Sequence, residues 1–174
     1  MIQWNFTFDK DEEQDWLNDY CREGWAMAGF FAGLVMFVPC RPGEFIYQID
    51  LLPGAGLRAD DYEDYVSFMR DMDVEVLQRW GRWVYLRKRA EDGPFEVYTD
   101  TDSKIQLYRR IRNMFLWVVC VNSVCCLNLV LQAVHFNTLL TRCSAAAAAL
   151  MLLAILRGAR KCTRKIQELE RLTQ

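Results

Sequence analysis

The chain has 174 residues, 52% of them apolar and 25% charged, with a formal net charge of −2 and a mean hydropathy of −0.06. That apolar content and that charge balance exclude a disordered chain, a collagen-like chain and a strongly basic nucleic-acid binder. The averages conceal a division: residues 1–103 hold 21 of the 23 acids and 10 of the 21 bases, a net of −11, and residues 104–174 hold 2 acids and 11 bases, a net of +9.

In chain order, the alternation in Trp4-Asn5-Phe6-Thr7-Phe8 predicts a half-buried first strand. Asp9 with Glu12 marks a helix start, Trp16, Leu17, Tyr20 and Cys21 fall on one helical face, and Gly24 stops the helix. Apolar stretches at 25–31 and 34–39, separated by Ala32-Gly33, and an alternating run from Phe45 to Leu51 after Pro42-Gly43 predict a meander. After the Pro53-Gly54-Ala55-Gly56 loop, Asp60 or Asp61 is expected to cap a second helix carrying Tyr62, Tyr65, Val66, Met69 and Met72 on one face. Strands at about 74–80 and 83–88 follow, joined by Trp80-Gly81-Arg82-Trp83 with glycine where a type II′ turn needs it.

The order βα, meander, αββ over residues 1–92 predicts an α+β domain. Its simplest form is a ferredoxin-like sandwich with both helices on one face of a sheet. Trp4, Phe6, Trp16, Trp25, Tyr47, Trp80 and Trp83 are its candidate core aromatics. Residues 93–112 form a connector: Ser103 with Gln106 is a capping box, so a helix is expected to start there and run on without a flexible linker.

From Asn113 to Thr141 no residue is charged over 29 positions, and Leu139–Leu156 is nearly so. Some 20 apolar residues cross a bilayer core. A transmembrane hairpin is expected over 113–157, with spans at about 113–133 and 139–157 and a turn around His135-Phe136-Asn137. A single long span with a buried or interfacial alanine-rich helix is the alternative. Residues 158–174 read as a basic tail helix in which Cys162, Ile166, Leu169 and Thr173 form a weak apolar stripe.

Lys104, Arg109, Arg110, Arg112, Arg157, Arg160, Lys161, Arg164 and Lys165 flank the spans on one side, against Arg142 alone at the turn. That asymmetry predicts a multi-pass inner-membrane protein with both termini cytoplasmic. All of these flanking bases except Lys104 are also the candidate contacts to anionic lipid headgroups. Asn122, Ser123, Asn128 and Gln132 are expected to hydrogen-bond between helices, within the hairpin or a homo-oligomer.

His135 is the only histidine and sits at the predicted turn, which excludes a Ser-His-Asp or Cys-His arrangement in the first domain. The seven cysteines include no CxxC pair, and Cys162 is a candidate for palmitoylation. Asp100-Thr101-Asp102 opens like a calcium loop, but Ile105 and Ile111 stand where such a loop needs glycine and glutamate. Gly54-Ala55-Gly56 lacks the context of a nucleotide-binding loop, and the carboxylate pairs Asp60-Asp61, Glu63-Asp64 and Asp71-Asp73 read as solvated helix faces. No catalytic, cofactor or metal residues are assigned.

Trp16-Leu17-Asn18, Glu23-Gly24-Trp25, Pro42-Gly43-Glu44 with Tyr47-Gln48-Ile49-Asp50, Arg79 through Tyr85, and Gly93-Pro94-Phe95-Glu96 through Asp102-Ser103-Lys104-Ile105 occur in that order. As a set, over roughly residues 1–112, the chain resembles the bacterial domain of unknown function 2812 family. One departure is Asp73-Val74-Glu75, where the resemblance leads one to expect Gly-Trp-Glu. The resemblance implies a cytosolic domain followed by membrane helices, often encoded near PadR-type regulators, and carries over no catalytic or binding residues.

These readings converge on a membrane-anchored, non-catalytic binding or regulatory domain whose partners are anionic lipids and a protein or a second copy, without nucleic acid or cofactor. An accessory subunit of a membrane transporter and a membrane-proximal enzyme are the alternatives.

Overall fold

A computed structural model describes the chain except for Phe6, Phe8, residues 53–58, Asn137 and residues 173–174, and of Ala59 and Asp60 it describes the backbone alone. The chain forms two compact units, Met1–Thr99 and Asp100–Gln174. The first contains β1 (Ile2–Trp4), α1 (Lys10–Arg22), β2 (Trp25–Phe31), β3 (Leu34–Pro39), β4 (Phe45–Leu51), α2 (Ala59–Asp71), β5 (Glu75–Trp80), β6 (Trp83–Arg89) and a 3-10 turn at Ala90–Asp92. The second is two long helices, α3 (Thr101–Phe136) and α4 (Leu139–Leu172).

The mixed α/β character is as the sequence predicts, but the strands divide into two antiparallel three-stranded sheets, β1-β3-β2 and β4-β6-β5. Side chains join them. The edge of β2 would leave backbone groups unpaired, a cost of ~1–3 kcal/mol each when buried. The Gln78 side chain takes the place of a strand there: its Oε1 accepts from the Phe30 N–H and its Nε2 donates to the Phe30 carbonyl, both at 2.6 Å. Further along the edge the Tyr47 hydroxyl accepts from the Met27 N–H at 3.0 Å. Bulges in β2 between Met27 and Gly29 and in β5 between Val76 and Gln78 re-aim the two edges.

The helices lie against opposite faces of the second sheet, which corrects the one-sided arrangement. On one face, Leu17 and Cys21 of α1 join Met27, Phe30, Val35 and Phe37 of the first sheet and Tyr47, Ile49 and Tyr85 of the second in one buried cluster. On the other, Met69 of α2 packs with Leu52, Val74, Val84 and Leu86. Val84-Tyr85-Leu86 is buried without a break because both sides of β6 are covered.

Local chemistry sets the element ends. Asp9 caps α1 through the Asp11 N–H at 2.9 Å, as its sequence predicts. β1 ends at Trp4, short of the predicted strand, because its partner β3 stops at the Ala32-Gly33 turn and has nothing further to pair with. Both turn residues have positive φ, +48° and +87°, the type I′ geometry whose twist suits a hairpin. Gly81 at φ +63° occupies the position the type II′ reading requires. α2 ends with the Val74 N–H reaching the Met69 carbonyl and the Asp73 N–H the Arg70 carbonyl, with Asp73 at φ +57°. That left-handed position favours glycine, which suits the Gly expected there from the resemblance, and aspartate is among the few side chains that also adopt it.

Asp60 and Asp61 both fall inside α2, which begins at Ala59; the residue before it lies outside the described ones. α3 starts two residues before the predicted Ser103 cap. Asp100 accepts from the Ser103 N–H at 2.8 Å, a carboxylate being at least as good a cap as a hydroxyl. Of the predicted core aromatics, Tyr47 is buried and Trp16, Trp25 and Trp83 pack partly buried on its cluster. Trp4 and Trp80 are 66% and 49% exposed, Trp4 on the outer side of β1 and Trp80 beside a turn, while Phe6 lies outside the described residues.

α3 and α4 each contain an 18-residue window apolar enough to cross a membrane, with mean hydropathies of 2.2 and 2.0. They pack along each other. On α4 the residues turned from solvent recur at three and four: Thr141, Ala145, Ala148, Leu152, Ile155, Ala159, Cys162, Ile166 and Leu169. Its alanines let two backbones approach closely. The tail is thus not a separate helix but the last turns of α4.

Candidate functional site

The first unit carries an open groove of about 520 Å³ where the C-terminal end of α2 meets the start of β5 and the end of β6. Arg70, Arg87, Lys88 and Arg89 line it together with Asp73, Glu75 and Asp92. Arg87 is held by two partners. Its Nε and Nη2 donate to the two Glu75 oxygens at 2.7 and 3.1 Å, and its guanidinium lies 4.5 Å from the centre of the Phe45 ring. Lys88 donates to the Met72 carbonyl at 3.1 Å, where the negative end of the α2 dipole favours a cation. Arg89 pairs with Glu91 at 3.0 Å. The groove therefore presents fixed charges of both signs, suited to a small polar ligand or a peptide segment rather than to a purely apolar one.

Beside it on β4, Gln48 and Asp50 hold the segment that leads into α3. Gln48 donates through Nε2 to the Phe95 carbonyl and accepts from the Val97 N–H. Asp50, 1% exposed, accepts from the Tyr98 hydroxyl at 3.1 Å and from the Tyr65 hydroxyl of α2 at 3.1 Å, and its own chain supplies the Leu51 N–H at 2.7 Å. Burial, with the Asp50 carboxylate adding to it, pushes Tyr65 far above the ordinary phenol range, so it stays a hydrogen-bond donor at neutral pH. The cluster works as a strut: two phenols and a carboxylate lock α2, β4 and residue 98 together.

A second pair sits under α1. The Tyr85 hydroxyl donates to Glu13 at 2.8 Å, burial raises the Glu13 carboxyl despite that bond, and Tyr85 is likewise pushed up by burial. Tyr47 is pushed up to about 12 by burial. The Cys40 thiol is pushed up to about 11 by burial and by neighbouring Cys21, which removes thiolate character at neutral pH. Among the described residues no group of three or more His, Cys, Asp or Glu side chains could hold a metal ion.

In the second unit, Arg157, Arg160, Lys161 and Arg164 are exposed, Arg110, Arg112 and Lys165 are half-buried, and exposed Arg109 pairs with Glu170 at 2.8 Å. Lys165 pairs with Glu168 at 3.7 Å. These bases sit beyond the apolar windows, on the stems of both helices. Of the polar residues of α3, Ser123 and Asn128 donate to the carbonyls of Val119 and Val124 one turn back on their own helix, which a short polar side chain reaches without a partner helix, and Gln132 is exposed. The Asn122 Oδ1 is enclosed without a hydrogen-bond partner. Cys162 is buried in the helix pair, which closes it to an acyl chain, and with Ile166 it turns the predicted stripe into packing surface.

Sequence reasoning passed over the groove and the strut. Arg87, Lys88 and Glu75 looked like ordinary alternating strand residues, and only the pairing of β6 with both β4 and β5 gathers them. Asp50 carried no clear signal: with Ile46 and Gln48 it falls on the second face of the alternating run from Phe45 to Leu51, which reads as the solvent side until α2 covers it.

No match is found among curated proteins or among solved structures. A family model, described as a protein of unknown function, matches residues 9–120, that is, the first unit from α1 onward and the first twenty residues of α3. Over that length the chain belongs to the DUF2812 family.

Proposed function

We propose that this chain is a membrane-anchored, non-catalytic binding protein of the bacterial inner membrane, in which α3 and α4 span the bilayer and residues 1–99 bind a ligand in the cytoplasm through the β6 groove. One observation carries the binding role: the groove and the strut share strands. Arg87, Lys88 and Arg89 pair directly with Tyr47, Ile46 and Phe45 of β4, and the same strand's Gln48 and Asp50 grip residues 95–98. A ligand that shifts β6 is thereby linked to the segment entering α3, as a regulatory domain requires. The absence of a histidine from residues 1–99 and the protonated phenols favour binding over chemistry. Large side chains exposed around the spans, among them Trp117, Val121, Leu131 and Leu150, favour the lipid environment. The bases on the stems favour cytoplasmic termini and contact with anionic headgroups.

Two measurements test this. The chain should stay with membranes through alkaline extraction, and a cysteine at Thr138 should react with an impermeant maleimide added outside intact cells. Release into the supernatant refutes the anchor, and labelling of Thr138 only after lysis refutes the orientation. For the groove, Arg70→Glu, on an exposed side chain, should abolish any ligand-induced rise in thermal midpoint while leaving the stability of the free chain within ~1 kcal/mol.

A further inference from the structure

The outer face of the first sheet is apolar and open. No residue of β1, β2 or β3 is charged. The register sets Ile2, Met36 and Gly29 in one row across the strands and Trp4, Leu34 and Phe31 in the next, with Val38 beyond. These positions face away from Met27, Phe30, Val35 and Phe37, which fill the core. Ile2 is 65% exposed, Phe31 70%, and Met36 and Val38 46% each. Solvated antiparallel sheets put polar residues on the outer positions, and this one does not.

We propose that this face is the dimer interface of the protein, packed against the same face of a second copy. Two features select that occupant. The first is area: with Trp4 the exposed side chains offer on the order of 700 Å², more than a monomer ordinarily leaves in one patch and close to the ~800 Å² that each partner brings to a standard interface. The second is charge. Residues 1–103 carry a net of −11, so two copies repel wherever acids meet, and an uncharged sheet is where they approach without that cost. A two-fold axis through the sheet would make the contact self-complementary, with the two sheets about 10 Å apart. The proposal stands apart from the groove reading and does not depend on it.

The test is the mass of the full chain in detergent, with bound detergent subtracted, at 1–50 µM, a range chosen to bracket ordinary dimer affinities. The wild type should be a dimer. Phe31→Glu and Met36→Glu, each placing a charge on an already exposed position, should weaken it at least 100-fold with near-ultraviolet circular dichroism unchanged. Should either variant misfold, Val38→Glu at the rim of the same face gives the same reading. A monomeric wild type overturns the proposal. So does a dimer that survives the charges, which would assign association to the helices. A monomer in bilayer nanodiscs whose residues 31–38 are labelled by a lipid-borne photoprobe would overturn it in favour of a lipid-facing surface.

Discussion

Gln78→Leu removes the side chain that closes the edge of β2 while nearly preserving its volume. In the wild type the amide makes two bonds of 2.6 Å, one to each backbone group of Phe30. Leucine leaves a donor and an acceptor behind. Each orphaned group costs ~1–3 kcal/mol, and because this seam is only partly buried the lower figure applies, for a total of about 2 kcal/mol. That is a large share of the ~5–15 kcal/mol that holds a domain together. Amide exchange followed residue by residue in the full chain is the assay: at ~1.4 kcal/mol per tenfold, the Phe30 amide should exchange roughly 30-fold faster, while the amides of the central strand β3 keep their protection. Gln78→Glu is the sharper case. It can accept from the Phe30 N–H, but it sets a carboxylate against the Phe30 carbonyl, so it should be worse than leucine at pH 7 and recover as the acid protonates near ~4.3. If Phe30 exchanges at the wild-type rate in Gln78→Leu, the side-chain bridge does not hold the two sheets together, and the account of why they remain separate fails.

Three further outcomes follow from the backbone and from the buried acid. Ala32 holds φ +48° in a type I′ turn, so Ala32→Asn should raise stability by ~0.5–1 kcal/mol, read from the thermal midpoint. Asp73 at φ +57° should tolerate glycine without loss, whereas Asp73→Val should cost ~1–2 kcal/mol, since a branched side chain resists the left-handed region. Glu13 is raised by burial above its ordinary 4.5, which means the folded chain binds its proton more tightly than the unfolded one. Its contribution to stability is then full below pH 4.5 and is lost as pH rises through the raised value. Glu13→Gln, which can still accept from Tyr85, should raise the unfolding midpoint at pH 8 and leave it unchanged at pH 4; an equal shift at both pH values would show that desolvation of the carboxylate is not the cause.

What the sequence made legible was local. Asp9 before α1 and glycine at residue 81 each act within a few residues, the uncharged run from Asn113 is continuous in sequence, and each appears where chain order places it. What it concealed depends on which faces are covered. Trp83-Val84-Tyr85-Leu86 is apolar without alternation, which is the mark of a strand buried on both sides, and a one-faced arrangement of helices leaves that run unexplained. β2 and β3 show the converse. Their residues are as uninterruptedly apolar as those of β6, yet only one side enters the core. The same composition therefore stands for two situations, a strand whose second face is covered within the chain and a strand whose second face keeps Phe31, Met36 and Val38 exposed. Charge does not separate them, because neither run contains an acid, and the bases at Arg87, Lys88 and Arg89 come only after the buried part of β6. The difference lies in partners distant in sequence: α2 for β6, and nothing among the described residues for the outer rows of β2 and β3. The same kinds of residue thus make a core where a helix covers the strand and an exposed apolar patch where none does, and that patch is the surface on which the proposed dimer rests.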